Sequence, residues 1–295
     1  MKQLLIIIYL LILNNSFIKI DGNFLAGFDN YIFFSHCQEC IDEYPIYDIL
    51  FFDFKNKKID TFARDIMFFD FVKIDNYNFL FTDGQTIYKV NVNNKSKELI
   101  YNNNNSNNVI CDIVLRNNEI LVFKVYYDVI DNKILINKLK NDTAIFINSV
   151  PFSEFEYHGL NTVLHNENIY FTSGQNLYLL EKNNNLTHLD SNVYELFKHQ
   201  DTIIYGKYNN NRYEYKLLNL KNKKIDEFLF PNDFNKIDWR NKNLLNINNK
   251  LFYFQNDQIF TLSNHKWVEI NEIIVYENKN FKVLINNLKE TIIEF

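Results

Sequence analysis

The sequence is poor in the residues and motifs that mark several common classes of protein. Its 295 residues include only 6 Gly and 3 Pro, which excludes collagen-like and Pro-rich architectures. It has no basic run, and its formal net charge is −5, so the sequence predicts no nucleic-acid partner. It also lacks G-x-S-x-G, H-E-x-x-H and a Gly-rich phosphate loop, so no nucleophile or phosphate site is indicated.

The composition favours a folded chain rich in β-strands. Hydrophobic residues make up 47% and aromatic residues 17%, which is enough for a sizeable core. Ala is scarce while Ile, Phe and Tyr are abundant, and branched and aromatic side chains suit a pleated, half-buried surface. The Asn runs at 102–105, 183–185 and 209–211 are interpreted as biased loop filler.

The first sixteen residues have the pattern of an export signal. A short basic start precedes the apolar run Leu4–Leu13, and Asn14 to Ser16 are polar. About ten apolar residues match a signal-peptide core and are too few for a membrane span. We therefore expect residues 1–16 to be a signal peptide or apolar N-terminal segment. The protein is then exported: secreted, periplasmic or envelope-associated, with no spanning segment. A buried first strand and an uncleaved tether remain alternatives.

An internal repeat indicates the fold. The segment FFDFKNKKID at 51–60 recurs as LLNLKNKKID at 217–226, and LFTDGQTIY at 80–88 recurs as YFTSGQNLY at 170–178. The second pair fits two periods of about 45 residues. Each period holds four short runs separated by turn residues such as Asp83-Gly84. Four antiparallel strands per repeat predict an all-β β-propeller.

The two ends of the chain indicate how the propeller closes. Ile273–Tyr276, Phe281–Ile285 and Thr291–Phe295 are three strand-like runs without a fourth, and Phe17–Ile20 is a strand-like stub. Pairing the stub with the last three runs completes a blade and removes exposed sheet edges. This pattern favours seven blades over six, within a single domain covering 17–295.

One motif resembles a known family of propellers. Leu80-Phe81-Thr82-Asp83-Gly84, followed by Ile87-Tyr88-Lys89-Val90, resembles the YWTD-type propeller repeat. The resemblance covers about one strand pair in two or three blades. It implies the fold alone, and no functional residue is carried over.

The first candidate site is the irregular stretch Ser35–Pro45. His36, Asp42 and Glu43 are candidate ligand-binding residues there, because imidazole and carboxylate groups bind ligands and transfer protons. We expect Cys37 and Cys40, spaced C-x-x-C, to form a disulfide in an oxidising compartment. Free thiols and a metal site are the alternatives for these cysteines. A surface loop stapled by its own disulfide is the alternative for the stretch as a whole.

The second candidate site is the alternating trio Glu154, Glu156 and His158. Strand alternation places their side chains on one side, where they could bind a ligand or a divalent cation; a solvated strand face is the alternative. Asp112, Arg116, Asp128 and Asp131 are weaker polar candidates, and Cys111 is expected to be a small buried hydrophobe.

Three functions remain open at this point. The first, which the sequence favours, is a non-catalytic platform that binds a protein, a peptide or a glycan, because nothing in the sequence demands chemistry. The second is a propeller enzyme of lactonase, lyase or hydrolase type, with carboxylates and a divalent cation. The third is an envelope structural or assembly component. No catalytic residue, metal ligand or cofactor is assigned.

Overall fold

A computed structural model describes residues 17–39, 45–67, 69–127, 132–152, 160, 162–209, 212–228, 244–247, 250–255, 258–263, 266–278, 281–286 and 290–294. Within these ranges the regular structure consists of strands, and no helix occurs. None of these ranges therefore contains a helix that could cross a membrane. The predicted leader, residues 1–16, lies outside them.

The strands of these ranges are β1 (Phe17–Ile20), β2 (Asn23–Phe28), β3 (Tyr31–Glu39), β4 (Ile46–Asp53), β5 (Lys58–Ile66), β6 (Asp70–Lys73), β7 (Asn78–Thr82), β8 (Thr86–Asn91), β9 (Ser96–Asn102), β10 (Asn108–Arg116), β11 (Glu119–Tyr126), β12 (Lys133–Lys140), β13 (Thr143–Pro151), β14 (Thr162–His165), β15 (Asn168–Ser173), β16 (Asn176–Leu180), β17 (Leu186–Ser191), β18 (Val193–His199), β19 (Thr202–Asn209), β20 (Arg212–Asn219), β21 (Ile225–Phe228), β22 (Leu244–Ile247), β23 (Lys250–Gln255), β24 (Gln258–Ser263), β25 (Lys266–Ile270), β26 (Ile273–Glu277), β27 (Lys282–Ile285) and β28 (Thr291–Glu294).

These strands form seven four-stranded antiparallel sheets, which are the blades of a β-propeller. Blade 1 is β2–β5, and blades 2 to 6 follow in steps of four strands up to β25. Blade 7 has the strand order β26-β27-β28-β1. The all-β fold, the four-stranded blades and the count of seven are thus confirmed, as is the fold-level resemblance to the YWTD-type propeller.

The chain divides into two compact units, and the single domain expected over 17–295 stays a prediction. The first unit comprises residues 1–38, 48–64 and 236–295. It contains blades 6 and 7 and most of blade 1. One apolar cluster joins these three blades, with Ile32 and Phe52 from blade 1, Phe254 from blade 6 and Val283 from blade 7.

Blade 7 closes as the sequence predicts. Strand β1 pairs antiparallel with β28, with Ile18 opposite Ile293 and Ile20 opposite Thr291. Ile18, Ile20 and Ile293 are buried, so the stub contributes apolar contacts as well as backbone hydrogen bonds. The Thr291 hydroxyl also donates to the Gly22 carbonyl at 2.9 Å. The first and last described strands therefore stabilise one sheet together.

The second unit comprises residues 39–47 and 65–235 and contains blades 2 to 5. Successive blades share apolar clusters. Leu80 and Ile87 of blade 2 pack with Ile113 of blade 3, and Phe123 of blade 3 packs with Phe171 of blade 4. The second strands β7, β11 and β15 are buried over most of their length, which explains their continuous apolar runs.

Asparagine takes several turn positions that glycine often fills. Gly84 has φ of 88° in the Asp83-Gly84 turn, as the sequence predicts. Asn117-Asn118 and Asn141-Asp142 each have two successive positive φ angles, the geometry of tight type I′ hairpin turns. Asn tolerates this region better than other residues with a side chain, so part of the Asn content has a structural function.

Candidate functional site

Most of the predicted site residues lie outside the described residues. These are Cys40, Asp42 and Glu43 of the first candidate site, Glu154, Glu156 and His158 of the second, and the weaker candidates Asp128 and Asp131. The two predicted sites therefore stay predictions.

His36 lies on β3 in a defined orientation. Its Nδ1 atom is 3.0 Å from the carbonyl oxygen of Asp21. A carbonyl only accepts hydrogen bonds, so Nδ1 is the donor in this contact, and in the neutral ring the lone pair is then on Nε2. The atom that would accept a proton or bind a ligand is thus Nε2. The neighbouring Cys37 belongs to a disulfide, and its predicted pairing with Cys40 stays a prediction.

The structure brings together a pair of carboxyl groups that the sequence analysis did not join. Asp70 begins β6, the first strand of blade 2, and Asp112 lies on β10, the first strand of blade 3. The Asp70 carboxylate accepts the Phe71 N–H and the Ile113 N–H, both at 2.7 Å. The Ile113 bond joins the two blades. Asp112 lies at a β-bulge, which shifts the register of β10 locally.

The two carboxyl groups compete for one negative charge. Burial raises the pKa of Asp112 well above its ordinary range, and the neighbouring charge of Asp70 raises it further. Hydrogen bonds from Thr162 and Ile113 oppose this increase. Burial also raises the pKa of Asp70, against hydrogen bonds from Ile113, Asp112 and Phe71. Asp112 therefore holds the proton and donates it to Asp70 in a shared hydrogen bond.

This acid pair can both donate and accept a proton, and Asp70 is partly exposed. It does not form a metal centre by itself, because no group of three or more His, Cys, Asp or Glu side chains suited to a metal ion occurs in the described part of the chain. Cys111, which directly precedes Asp112 in the sequence, is a free thiol. Its Sγ donates to the Phe123 carbonyl at 3.3 Å.

The sequence named Asp112 as a weak candidate and did not name Asp70. A signal was present in both places: a carboxylate interrupts the apolar runs FFDFVKI at 68–74 and VICDIVL at 109–115. The two residues are one repeat apart, and equivalent first strands of adjacent blades lie side by side. That reasoning would have paired them.

Arg116, the other weak candidate, has a structural function. It is almost fully buried, and its guanidinium donates to the Glu181 carbonyl at 3.2 Å and to Asn184 Oδ1 at 2.8 Å. It also bonds to Glu119 at 3.5 Å. Arg116 thus ties blade 3 to the last hairpin of blade 4. Asn184 belongs to a run that the sequence analysis treated as filler.

Ser191 and His188 lie 3.0 Å apart and resemble a nucleophile with its base. Both side chains also contact Asn176 Oδ1, at 2.9 and 3.2 Å. The Asn176 amide donates to the Gly174 carbonyl at 2.6 Å, so its oxygen faces the pair as an acceptor. His188 Nε2 is therefore the donor in its contact with Asn176 Oδ1, and in that tautomer the same nitrogen does not accept the Ser191 hydroxyl proton.

The outermost strands of five blades expose large apolar side chains. About half exposed are Phe17 on β1, Leu99 on β9, Ile225 on β21 and Val268 on β25. On β13 two neighbours are exposed together, Ile145 by 46% and Phe146 by 60%. Exposed apolar groups that adjoin one another are more typical of interaction surfaces than isolated ones.

No protein-family model matches the chain, and no curated protein matches it. Similar solved structures exist. An oligogalacturonate lyase in complex with manganese is 9% identical, with a TM-score of 0.59 over 93% of this chain and 89% of that one. The oligogalacturonate lyase of Vibrio parahaemolyticus is 8% identical, with a TM-score of 0.58 over 95% and 92% of the two chains.

A third similar structure is the acylaminoacyl peptidase of Pyrococcus horikoshii, which is 9% identical. Its TM-score is 0.53 over 90% of this chain and 49% of that one. Identities this low show the fold alone. Fold and site together define the class: a seven-bladed β-propeller with a buried acid pair on the first strands of two adjacent blades.

Proposed function

We propose that this chain is an exported, non-catalytic β-propeller that binds another protein. Rigid blades that present apolar groups on their outermost strands suit a binding platform. The single observation that carries the proposal is the exposure of Leu99, Ile145, Phe146, Ile225 and Val268 on such strands. Export is supported by the apolar run Leu4–Leu13 and by the disulfide of Cys37, since disulfides persist in oxidising compartments.

Site-specific photo-crosslinking in the source cells tests the binding proposal. A photoreactive residue replaces Leu99, Phe146 or Ile225 in turn, and Asn117, a polar turn residue, serves as the control. We expect a discrete protein adduct at one or more of the three apolar positions and none at Asn117. Equal, diffuse labelling at all four positions would contradict the proposal. A ladder of adducts made only of this chain would instead indicate the assembly function.

Export has its own measurement. We expect the mature protein to leave the cytoplasm and to lack residues 1–16, as mass spectrometry of the fractionated protein would show. An intact N-terminus in a cytoplasmic fraction would contradict export.

The acid pair favours a second candidate, a propeller enzyme that uses general acid and base catalysis. A protonated carboxyl beside an ionised one is an arrangement that proton transfer requires. We propose no cofactor for it. Oligogalacturonate, with and without Mn²⁺, is the first substrate to test, because similar folds occur in oligogalacturonate lyases. Turnover that is lost in Asp112→Asn would support the enzyme and count against a purely binding function.

A further inference from the structure

We infer that the outer edge of β13 binds an extended segment of a partner protein, which adds to blade 3 as a fifth strand. The segment pairs with residues 143–147. The inference rests on the proposed binding function and names the form of its partner. In this mode of recognition, backbone hydrogen bonds supply the affinity and alternate side chains supply the specificity.

The edge of β13 lacks the charged side chains that the other outermost strands carry. A lone edge strand exposes unpaired N–H and C=O groups, and proteins commonly protect such edges with charged side chains. The outermost strands of the other six blades each carry at least one charge: β1 has Lys19, and β5, β9, β17, β21 and β25 also have charged residues. Strand β13, TAIFINSVP, has none over nine residues.

Two adjacent apolar side chains of β13 are exposed beside a β-bulge. Asn137 of β12 lies opposite Phe146, while the next residue, Ile136, lies opposite Asn148, so Ile147 is the extra residue. Ile145 and Phe146 are exposed by 46% and 60%. The exposed pair and the uncharged edge therefore occur in the same half of the strand.

The other half of β13 is already occupied. The Asn148 side chain accepts the Ser149 N–H at 2.9 Å. Pro151 has no N–H to offer, and its carbonyl accepts the Ser173 hydroxyl at 2.6 Å. The open edge thus covers Thr143 to Ile147, about 17 Å of strand at ~3.4 Å per residue.

The size of the exposed patch favours a short segment over a second copy of this chain. Together, half-exposed Ile145 and Phe146 offer on the order of 200 Å² of side-chain surface. A stable dimer of folded proteins buries about 1,200–2,000 Å² in total. An extended segment needs less, because a strand pairs its backbone along the whole open edge. Since the edge is uncharged, we expect β-branched or apolar residues opposite Ile145.

A model peptide tests the pairing. The probe is a capped peptide of alternating threonine and valine, about seven residues long, titrated against the full chain while amide hydrogen exchange is followed. We expect saturable binding that slows exchange at residues 143–147. Two N-methylated peptides are then compared, one methylated at its odd-numbered residues and the other at its even-numbered residues. One of the two should bind about tenfold or more weakly, because strand pairing needs the N–H groups that point towards β13.

Ile145→Lys and Ile274→Lys are the matched variants, since both side chains are 46% exposed and Ile274 lies on β26, at the opposite end of its blade from the outermost strand. Ile145→Lys should weaken peptide binding about tenfold or more by placing a charge on the edge, and Ile274→Lys should leave it unchanged. Equal loss in the two variants, or equal binding of both N-methylated peptides, would overturn the inference. Concentration-dependent self-association that Ile145→Lys abolishes would overturn the choice of partner. Crosslinks at Leu99 or Ile225 without one at Phe146 would overturn strand addition and leave the proposed function standing.

Discussion

Asp112→Asn is expected to stabilise the protein at neutral pH, although it replaces a buried residue that forms hydrogen bonds. The asparagine amide can replace the carboxyl proton as donor to Asp70, and its oxygen can accept from Thr162. In the folded state at neutral pH the Asp112 carboxyl must either hold a proton or ionise beside Asp70, and each state costs folding free energy. Asparagine does not ionise, so the substitution removes this cost. Unfolded Asp112 has the ordinary pKa of 3.8, whereas the folded group holds its proton to higher pH.

The sign and size of the effect follow from proton linkage. Because the folded state binds more protons, the Asp112 contribution to stability falls as pH rises from 3.8 through the raised folded pKa, and is constant above it. Each pKa unit is worth about 1.4 kcal/mol. The cost at pH 7 therefore has a ceiling of about 4 kcal/mol, which applies if Asp112 keeps its proton there. We expect Asp112→Asn to recover about 1–3 kcal/mol at pH 7 and almost nothing near pH 3.

Asp70→Asn is the matched control, and its effect has the opposite sign. Both Asp70 oxygens accept backbone N–H groups, and an amide has only one oxygen. One backbone N–H then faces an NH₂ group, at a cost of about 1–3 kcal/mol. Part of this loss is offset at pH 7, because the repulsion on Asp112 also disappears.

Urea unfolding followed by circular dichroism at several pH values from 3 to 8 measures both variants. An Asp112→Asn variant less stable than the parent at pH 7 would refute the proton shared by Asp112 and Asp70. A gain in stability that does not change with pH would refute it too, because such a gain would come from packing and not from ionisation.

Three further predictions concern contacts between blades and the pairing that closes blade 7. Arg116→Met should lower the free energy of unfolding by about 2–4 kcal/mol, measured by thermal unfolding, because it leaves buried acceptors without a donor. The control Lys138→Met breaks a more exposed ion pair and should cost under about 1 kcal/mol. Equal losses would contradict the structural function of Arg116. Gly27→Ala places a Cβ 2.3 Å from the Tyr276 ring and should cost about 1–3 kcal/mol. Tyr276→Ala should remove most of that cost in a double-mutant cycle, and additive losses would argue against the contact. Deletion of residues 1–16 should leave the melting temperature unchanged. Deletion of residues 1–20 should lower it sharply and promote aggregation, because β28 then loses its partner strand β1 and becomes an edge strand. Equal melting temperatures of the two deletion variants would contradict closure of the blade by β1.

The candidate site was less accessible to sequence reasoning than the fold. Asp112 was named only as a weak polar candidate, and its partner was not evident because Asp70 is 43 residues from the Ile113 N–H that it accepts. The exposure of Ile145 and Phe146 on adjacent positions was equally hidden. Strict alternation predicts that one face of a strand is buried and the other exposed, whereas Ile145 and Phe146 are both exposed on this outermost strand.

The sequence by itself determined the four-stranded repeat, the seven blades and the pairing of Phe17–Ile20 with the C-terminal strands. Those features depend on local alternation, turn residues and the need to bury apolar edges, all of which are written within one repeat. Tertiary structure alone decided which carboxyl groups share a proton and which outer strand is left uncharged and open. Such properties depend on the stacking of one blade on the next and on a single-residue change of register, and no local pattern encodes either of them.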